Sequence, residues 1–334
     1  MNKHVENVRN LSWGPLIWIF SLTVGLLLLA RQFSPLQVLL ADRYLPGSGV
    51  LQIPILGLYA CVLGYKLLQA RHIGTIRSKL WGFFSFVFFA QLLLGLAGMQ
   101  DMLMTGELHL PIPALILAGP LYRGEGLFMP ILYGVTILLV GPAWCSYLCY
   151  IGAWDNSLAA WRKRKSRPVP KWATHVLRSM LLLLIVIVAL LLRSYKAPVG
   201  PALGLALGFG LAGVAVMVFI SRWRGQMVHC TVFCPIGLIS NLIGRISPWQ
   251  LRIDSGCSKC GKCSRACPYS ALKAEDLEKG KPGLTCTLCG DCVGHCAQGL
   301  IRYRFPGLSP EQAKSAFIVL VVSIHTVFLG LARI

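Results

Sequence analysis

Eight cysteines between residues 257 and 296 restrict the fold of this part of the chain more than any other feature. They form two runs, CSKCGKCSRAC at residues 257–267 and CTLCGDCVGHC at residues 286–296. Each run has the spacing C-x2-C-x2-C-x3-C, which is the ligand pattern of bacterial-type 4Fe–4S clusters. Zinc sites use cysteine pairs separated by a longer gap, and disulfides require an oxidising compartment. The spacing therefore predicts a domain built around iron–sulfur clusters.

Two runs predict two clusters whose ligands cross over. In this motif three thiolates of a run bind one cluster, and the fourth binds the other. The predicted iron ligands are Cys257, Cys260, Cys263 and Cys296 for the first cluster, and Cys286, Cys289, Cys292 and Cys267 for the second. Two clusters in one small domain form a relay for single electrons.

The chain as a whole has the composition of a membrane protein. Of its 334 residues, 55% are hydrophobic and 13% are charged, and the mean hydropathy is +0.65. Soluble domains have about 25% charged residues. Apolar runs long enough to cross a bilayer lie near residues 13–30, 50–68, 80–99, 126–144, 173–192, 202–220 and 315–332. We therefore expect seven membrane spans.

The basic residues between these spans predict the orientation. If the N-terminus is inside, the inner loops hold Lys66, Arg71, Arg77, Lys79, Arg162, Lys163, Arg164, Lys165, Arg167, Lys171, Arg222 and Arg224. This distribution follows the positive-inside rule. It predicts a multi-pass protein of a bacterial-type inner membrane, with residues 223–313 in the cytoplasm and the C-terminus outside. The net charge of +20 then reflects anchors near anionic membrane lipid, and no nucleic-acid partner is expected.

Four further cysteines form an internal repeat. The segments that begin at Cys145 and Cys230 share Cys, Cys, Ile, Gly and Asn at offsets 0, 4, 6, 7 and 11. Both cysteine pairs lie where a predicted span reaches the inner face. Cys145, Cys149, Cys230 and Cys234 are therefore a candidate redox or metal site. The alternatives are a third metal centre, redox-active disulfides, or small side chains that pack at the membrane edge.

Paired C-x3-C motifs followed by two ferredoxin runs resemble the NapH-like membrane polyferredoxin family, which shares this core with NosR-type and CcoG-type proteins. Cys145 and Cys149, then Cys230, Cys234 and Pro235, and then the eight cluster cysteines occupy the motif positions. Tyr150 stands where the family usually has proline. The resemblance implies electron transfer between the quinone pool, or another donor, and a partner redox subunit.

Three other residues are candidates for a quinone or proton site. Glu107 and His109 lie in the apolar, proline-rich segment 101–120, which is too short to span and is predicted to be re-entrant or interfacial. His325 lies near the middle of the last span, where an ionisable side chain is a functional candidate. As a neutral imidazole, His325 could instead bond a backbone carbonyl.

These patterns together predict an α-helical integral membrane protein with seven transmembrane helices and an inserted bacterial-type two-cluster ferredoxin domain of α+β structure. The predicted units are a membrane domain of six spans (1–222), a membrane-edge C-x3-C-P segment (223–250), the ferredoxin domain (251–305) and a C-terminal transmembrane helix (306–334). We expect membrane-bound electron transfer through two 4Fe–4S clusters, with quinol dehydrogenase activity as its candidate enzymatic role. The alternative is a redox maturation or regulatory factor for a respiratory metalloenzyme that uses the C-x3-C thiols.

Overall fold

The computed structural model describes residues 13–34, 37–99, 102–103, 110–161 and 167–332. Across these residues the protein is mostly helical, with sixteen α-helices and one two-stranded sheet. The predicted candidates Glu107 and His109 lie outside the described residues.

Seven helical segments in the described ranges are long and apolar enough to cross a membrane. They are α1 (Gly14–Phe33), α3 (Gly49–Gln69), α4 (Ile73–Leu96), Phe128–Tyr147, Ala173–Ser194, Val199–Arg224 and α16 (Pro310–Leu331). The fourth contains α6 (Phe128–Val140), a 3₁₀ turn and α7 (Trp144–Tyr147). The fifth contains a π-helical turn (Ala173–Leu177) and α9 (Arg178–Ser194), and the sixth contains α10 (Val199–Ala215), a second π-helical turn (Val216–Ser221) and α11 (Arg222–Arg224).

The seven segments overlap the seven predicted apolar runs, and the largest differences are two earlier starts: α4 begins at Ile73 rather than near residue 80, and α16 at Pro310 rather than near residue 315. The start of α4 is the larger difference. The residue behind this difference is Arg77, which the distribution of basic residues predicts, together with Lys79, in an inner loop. It lies instead within α4, with 0% of its surface exposed. Because it is paired there with Asp291, its charge does not end the helix.

The shorter elements connect these segments and build the cysteine-containing regions. The helices are α2 (Leu40–Tyr44), α5 (Leu115–Arg123), α8 (Tyr150–Ala160), α12 (Pro235–Ile243), α13 (Lys262–Ala266), α14 (Ala274–Glu278) and α15 (Asp291–His295). The strands are β1 (Gln250–Ile253) and β2 (Ile301–Arg304).

The last long helix, α16, lies at the centre of the bundle. In its most apolar window 61% of the residues are buried, against 11% for the fifth and sixth segments, and it packs on α1 and α3. A capping box begins the helix, since Ser309 Oγ accepts the N–H of Gln312 and the Gln312 side chain accepts the N–H of Ser309. The fifth and sixth segments leave their leucine-rich surfaces exposed.

The small sheet fixes the cysteine-rich segment to this central helix. Strands β1 and β2 are antiparallel, with Leu251 opposite Tyr303 and Ile253 opposite Ile301. These four side chains are buried, because alternate residues of each strand face the interior. The Tyr303 ring stacks on Phe317 of α16, with ring centroids 4.7 Å apart. Both ends of the cysteine-rich segment are therefore held against the long helices.

Candidate functional site

The two ferredoxin-type runs fold in the same way. In each, a residue with positive φ precedes the second cysteine: Lys259 at 53° and Leu288 at 54°. A glycine with positive φ follows that cysteine, Gly261 at 71° and Gly290 at 81°. A short helix then begins, and it ends at the fourth cysteine in extended geometry. Glycine accepts the left-handed conformation without the penalty of a Cβ, which explains why both runs carry it at this position.

The fourth cysteine of each run lies with the first three of the other. Cys263 interacts electrostatically with Cys257 and with Cys296. Cys292 interacts in the same way with Cys286 and Cys289 of its own run. It also interacts with Cys267, the fourth cysteine of the first run. A cavity is lined by all four of these last cysteines. Cys260 lies at the surface of the loop that also carries Cys257.

The two thiol sets differ in exposure. We call Cys267, Cys286, Cys289 and Cys292 the inner set, and Cys257, Cys260, Cys263 and Cys296 the outer set. In the set with Cys267, burial raises the pKa of Cys267 and of Cys286 to about 12. In the other set Cys260 is exposed, and a backbone N–H from Lys262 lowers the pKa of its thiol. Without a cluster the inner thiols are therefore protonated at neutral pH, so ligation of iron must displace their protons.

Hydrogen bonds from the C-x3-C segments hold the inner set. Tyr147 Oη donates to the Cys289 carbonyl at 3.0 Å, and Asn241 Nδ2 donates to the Cys286 carbonyl at 3.2 Å. Gln226 Nε2 donates to the Cys267 carbonyl, also at 3.2 Å. Three of the four inner cysteines are thus bonded directly to the segments that carry the repeat.

The remaining four cysteines, Cys145, Cys149, Cys230 and Cys234, form what we call the four-cysteine site. Cys145 lies in α7, and Cys230 lies in a π-helical turn, His229–Phe233. Cys149 and Cys234 each occupy the N-cap position of a helix, α8 and α12 respectively. Each pair therefore bends from one short helical turn into the next helix and does not stay on one continuous helical face.

The four thiols lie close enough to influence each other. Burial raises the pKa of Cys149, and the thiols of Cys145 and Cys234 raise it further. Burial also raises the pKa of Cys230, and so do nearby Asp155 and the other three thiols of the site. All thirteen cysteines of the described residues are free thiols.

The two halves of the repeat share supporting contacts that the sequence did not reveal. The carbonyl of the second cysteine accepts a side-chain bond from a long helix in both halves. Trp81 Nε1 donates to Cys149 at 2.6 Å, and Arg178 Nε donates to Cys234 at 3.3 Å. A Cβ on the repeat glycine would collide with these same donors, Trp81 at Gly152 and Arg178 at Gly237.

A buried arginine also contacts the repeat asparagine in each half. Arg77 Nη2 reaches Asn156 Oδ1 at 3.5 Å, and Arg178 Nη1 donates to Asn241 Oδ1 at 3.1 Å. Both arginines are almost completely buried. The shared Gly and Asn offsets in the sequence were the visible signal, while the arginines are distant in sequence and could not be assigned.

The His325 side chain forms a hydrogen bond to the backbone, which is one of the two roles considered for it from the sequence. It is fully buried, and its Nδ1 lies 2.9 Å from the Tyr147 carbonyl. A carbonyl can only accept, so Nδ1 carries the proton of a neutral imidazole. His325 thus holds Tyr147, the middle residue between Cys145 and Cys149, in place.

An apolar cavity lies beside the four-cysteine site. Its volume is about 200 Å³, and its walls come from α10, from the turn that carries His229 and from residues 110–114 of the predicted re-entrant segment. His229 is 6% exposed, and burial lowers its pKa to about 4. Cys234 also lines the cavity.

Comparison with known proteins gives the same class of chemistry. A family model described as a 4Fe-4S binding domain matches residues 125–168 and 203–253. These are the two ranges that contain the C-x3-C pairs. No solved structure is significantly similar to the chain.

Curated relatives carry electron-transport or ferredoxin names. The chain is 24% identical to electron transport protein YccM of Escherichia coli over 67% of this chain and 64% of YccM. It is 28% identical to the methylamine utilization ferredoxin-type protein MauN of Paracoccus denitrificans over 57% of this chain and 71% of MauN. It is 36% identical to polyferredoxin protein MvhB of Methanothermus fervidus over 27% of this chain and 23% of MvhB. The chain is thus similar to 4Fe–4S electron-transport and ferredoxin-type proteins, which agrees with the resemblance of its cysteine motifs to the NapH-like polyferredoxin family.

Proposed function

We propose that the protein carries single electrons between a membrane reductant or oxidant and a partner redox subunit, through two 4Fe–4S clusters. The ligands are the two crossed cysteine sets, with iron bound by all eight thiolates. The observation that carries the proposal is the position of the inner set. It is hydrogen-bonded to the C-x3-C segments at the ends of long apolar helices, whereas the outer set reaches the surface at Cys260.

The inner set at the helix ends and the outer set at the surface define a path for electrons between the membrane level and the protein surface. Electrons enter or leave at membrane level, pass the inner cluster and reach the outer cluster, whose exposed edge is open to a partner protein. The protein's part is to set the distances between clusters and to tune their potentials through hydrogen bonds and burial. From the positive-inside distribution of Lys and Arg, we place the outer cluster on the cytoplasmic side of a bacterial-type inner membrane.

The apolar cavity is the part of the molecule best suited to a quinone headgroup. It lies beside Cys234, and its walls are apolar except at His229. Ligand sites of this kind combine apolar walls with a few polar groups that orient the ligand. His229 would be the orienting group. We therefore propose that His229 and residues 110–114, a short distance in sequence from the predicted Glu107 and His109, form the quinone site.

The test uses the full-length protein, purified anaerobically in detergent. Menadiol should reduce the clusters and bleach their visible absorbance. Val214 lines the cavity, so Val214→Phe should slow this reaction about tenfold or more while dithionite still reduces the clusters fully. Leu205→Phe on the same helix is the matched control, because Leu205 is 55% exposed and faces away from the cavity. Equal menadiol rates in both variants would contradict a quinone site in this cavity.

The alternative, a maturation or regulatory factor acting through thiol–disulfide exchange, is less well supported. Cys145, Cys149 and Cys234 are each no more than 9% exposed, and thiol exchange depends on access to the attacking sulfur. Labelling of the folded protein with a thiol reagent distinguishes the two functions. An exchange factor should be labelled rapidly at these positions, and a buried electron-transfer site should be labelled only after unfolding.

A further inference from the structure

The four-cysteine site has a pseudo-twofold arrangement. In the sequence, Asp155 and Ser240 lie ten residues after the first cysteine of their own halves. Asp155 Oδ2 accepts the backbone N–H of Cys230, the first cysteine of the opposite half, at 3.0 Å. Ser240 Oγ approaches the thiol of Cys145, again the first cysteine of the opposite half. The two halves therefore close around a common centre that the four thiols share.

Buried polar atoms around this centre lack the partners that burial normally requires. Asp155 and Ser240 are both 0% exposed. Within the described residues, Asp155 Oδ1 and Ser240 Oγ have no hydrogen-bond partner of ordinary geometry, and the side chains nearest to these two residues include the thiols of Cys230 and Cys145. An unsatisfied buried polar group costs about 1–3 kcal/mol. Four thiols and two such atoms at one centre indicate a site that is completed by a ligand.

The electrostatic surroundings suit a negatively charged occupant. The buried guanidinium of Arg178 interacts with the thiols of Cys145, Cys230 and Cys234. Cys149 and Cys234 are the N-caps of α8 and α12, and backbone N–H groups of the first turn of each helix bond those two sulfur atoms. Backbone N–H groups and the positive end of a helix dipole stabilise thiolates. One cation and two helix N-termini therefore offset part of the negative charge that four thiolates would bring beside Asp155.

We propose that the four-cysteine site holds a third 4Fe–4S cluster, with Cys145, Cys149, Cys230 and Cys234 as its ligands. This inference rests on the proposed electron-transfer function and extends it to the membrane edge. Assembly displaces four protons from the thiols and places a core of charge +2 among four thiolates, for a net charge of about −2. The guanidinium of Arg178 then offsets part of that charge.

A single metal ion or a pair of disulfides fits the geometry less well. Among the described residues no three His, Cys, Asp or Glu side chains converge closely enough to hold one ion. All four thiols are free, and the second cysteine of each pair caps a new helix.

The third cluster would extend the relay by one step. The segment between Cys145 and Cys149 contacts the inner ferredoxin set directly, since Ser146 Oγ donates to the Thr287 carbonyl at 3.0 Å and Tyr147 Oη to the Cys289 carbonyl. In each transfer the oxidised core accepts one electron from the membrane reductant, and its charge falls from +2 to +1. It returns to +2 when it reduces the inner cluster by one electron, and no bond forms or breaks.

Iron and acid-labile sulfide per chain, measured on the full-length protein purified anaerobically, test the inference. Wild type should contain about twelve of each, and the variant with all four cysteines changed to serine about eight. Cys61→Ser is the matched control at about twelve, because Cys61 is a half-buried cysteine of α3 whose Sγ bonds only the Leu16 carbonyl among its described contacts. Equal iron in wild type and the four-serine variant, or a loss of only two, would overturn the third 4Fe–4S cluster.

Failure of the proposed electron-transfer function and failure of the third cluster give different results. A preparation without iron in wild type would overturn the proposed function itself, whereas eight irons in both proteins would overturn only the third cluster. If the four-serine variant does not fold, Cys230→Ser replaces it, since Cys230 is the most exposed of the four. The reduced Cys230→Ser protein should then show one altered or missing paramagnetic signal while the two ferredoxin signals persist. Three unchanged signals, or only two signals in wild type, would reject the inference.

Discussion

Arg77 and Asp291 form an ion pair, 2.7 Å between Nη2 and Oδ2, that joins α4 to the first residue of α15. Asp291 lies between Cys289 and Cys292 in the sequence, so the pair ties the inner cysteine set to a long helix. Arg77 also donates to the Ser146 carbonyl and lies over the Trp81 ring. One buried guanidinium thus connects α4, the first C-x3-C pair and the inner ferredoxin set.

Removal of one partner of this pair should be costly. Arg77→Met leaves the Asp291 carboxylate without its cation, and breaking a buried pair costs about 3–5 kcal/mol. We expect Arg77→Met and Asp291→Leu each to lower the midpoint of thermal loss of the iron–sulfur absorbance. The double variant should recover much of that loss, because neither charge is then left unpaired. A double variant as unstable as the sum of the singles would show that the pairing is unimportant.

Gly294 allows α15 to pack against the chain just before α4. A Cβ at this position would collide with the backbone carbonyl of Arg71, and backbone cannot move aside as the end of a flexible side chain can. Gly294→Ala should therefore destabilise the protein by about 1–3 kcal/mol through overpacking. Gly82→Ala in α4 is the control, because no atom lies within 4 Å of its added Cβ. Denaturant unfolding followed by the cluster absorbance compares the two variants.

The parts of this molecule that follow local rules could be predicted from the sequence. Seven long helices follow from apolar length alone, and the matching backbone of the two ferredoxin runs follows from spacing and from Gly261 and Gly290. The contacts of Arg77 and Arg178 could not be predicted, because their partners are far away in the sequence. A charged residue that is typical of a loop lies within a helix when tertiary packing supplies its counter-ion, and this explains the early start of α4.

His325 should support structure and not transfer protons. Its bond to the Tyr147 carbonyl is lost in His325→Leu, which leaves that buried acceptor unsatisfied at a cost of about 1–3 kcal/mol. We expect a lower thermal midpoint with an unchanged menadiol reduction rate at a temperature where both proteins are folded. His325→Gln retains a donor and should recover part of the stability. If the menadiol reduction rate falls in both variants, and the fall does not follow their loss of stability, His325 would instead have a role in the proton chemistry of the membrane reductant.

The crossed ligand sets predict which cluster each fourth cysteine holds. Cys267 belongs to the first run by sequence, but it lies with Cys286, Cys289 and Cys292. Cys267→Ser should therefore disturb the inner cluster, and Cys296→Ser the outer one, with a loss of up to about four irons in each case. Ferricyanide should destroy the outer cluster first in wild type, because Cys260 is exposed while the inner thiols are mostly buried. The rapidly destroyed fraction should then be missing in Cys296→Ser and retained in Cys267→Ser. The reverse assignment would mean that each run holds its own cluster with its own four cysteines, and the path from the membrane edge to the surface would have to be redrawn.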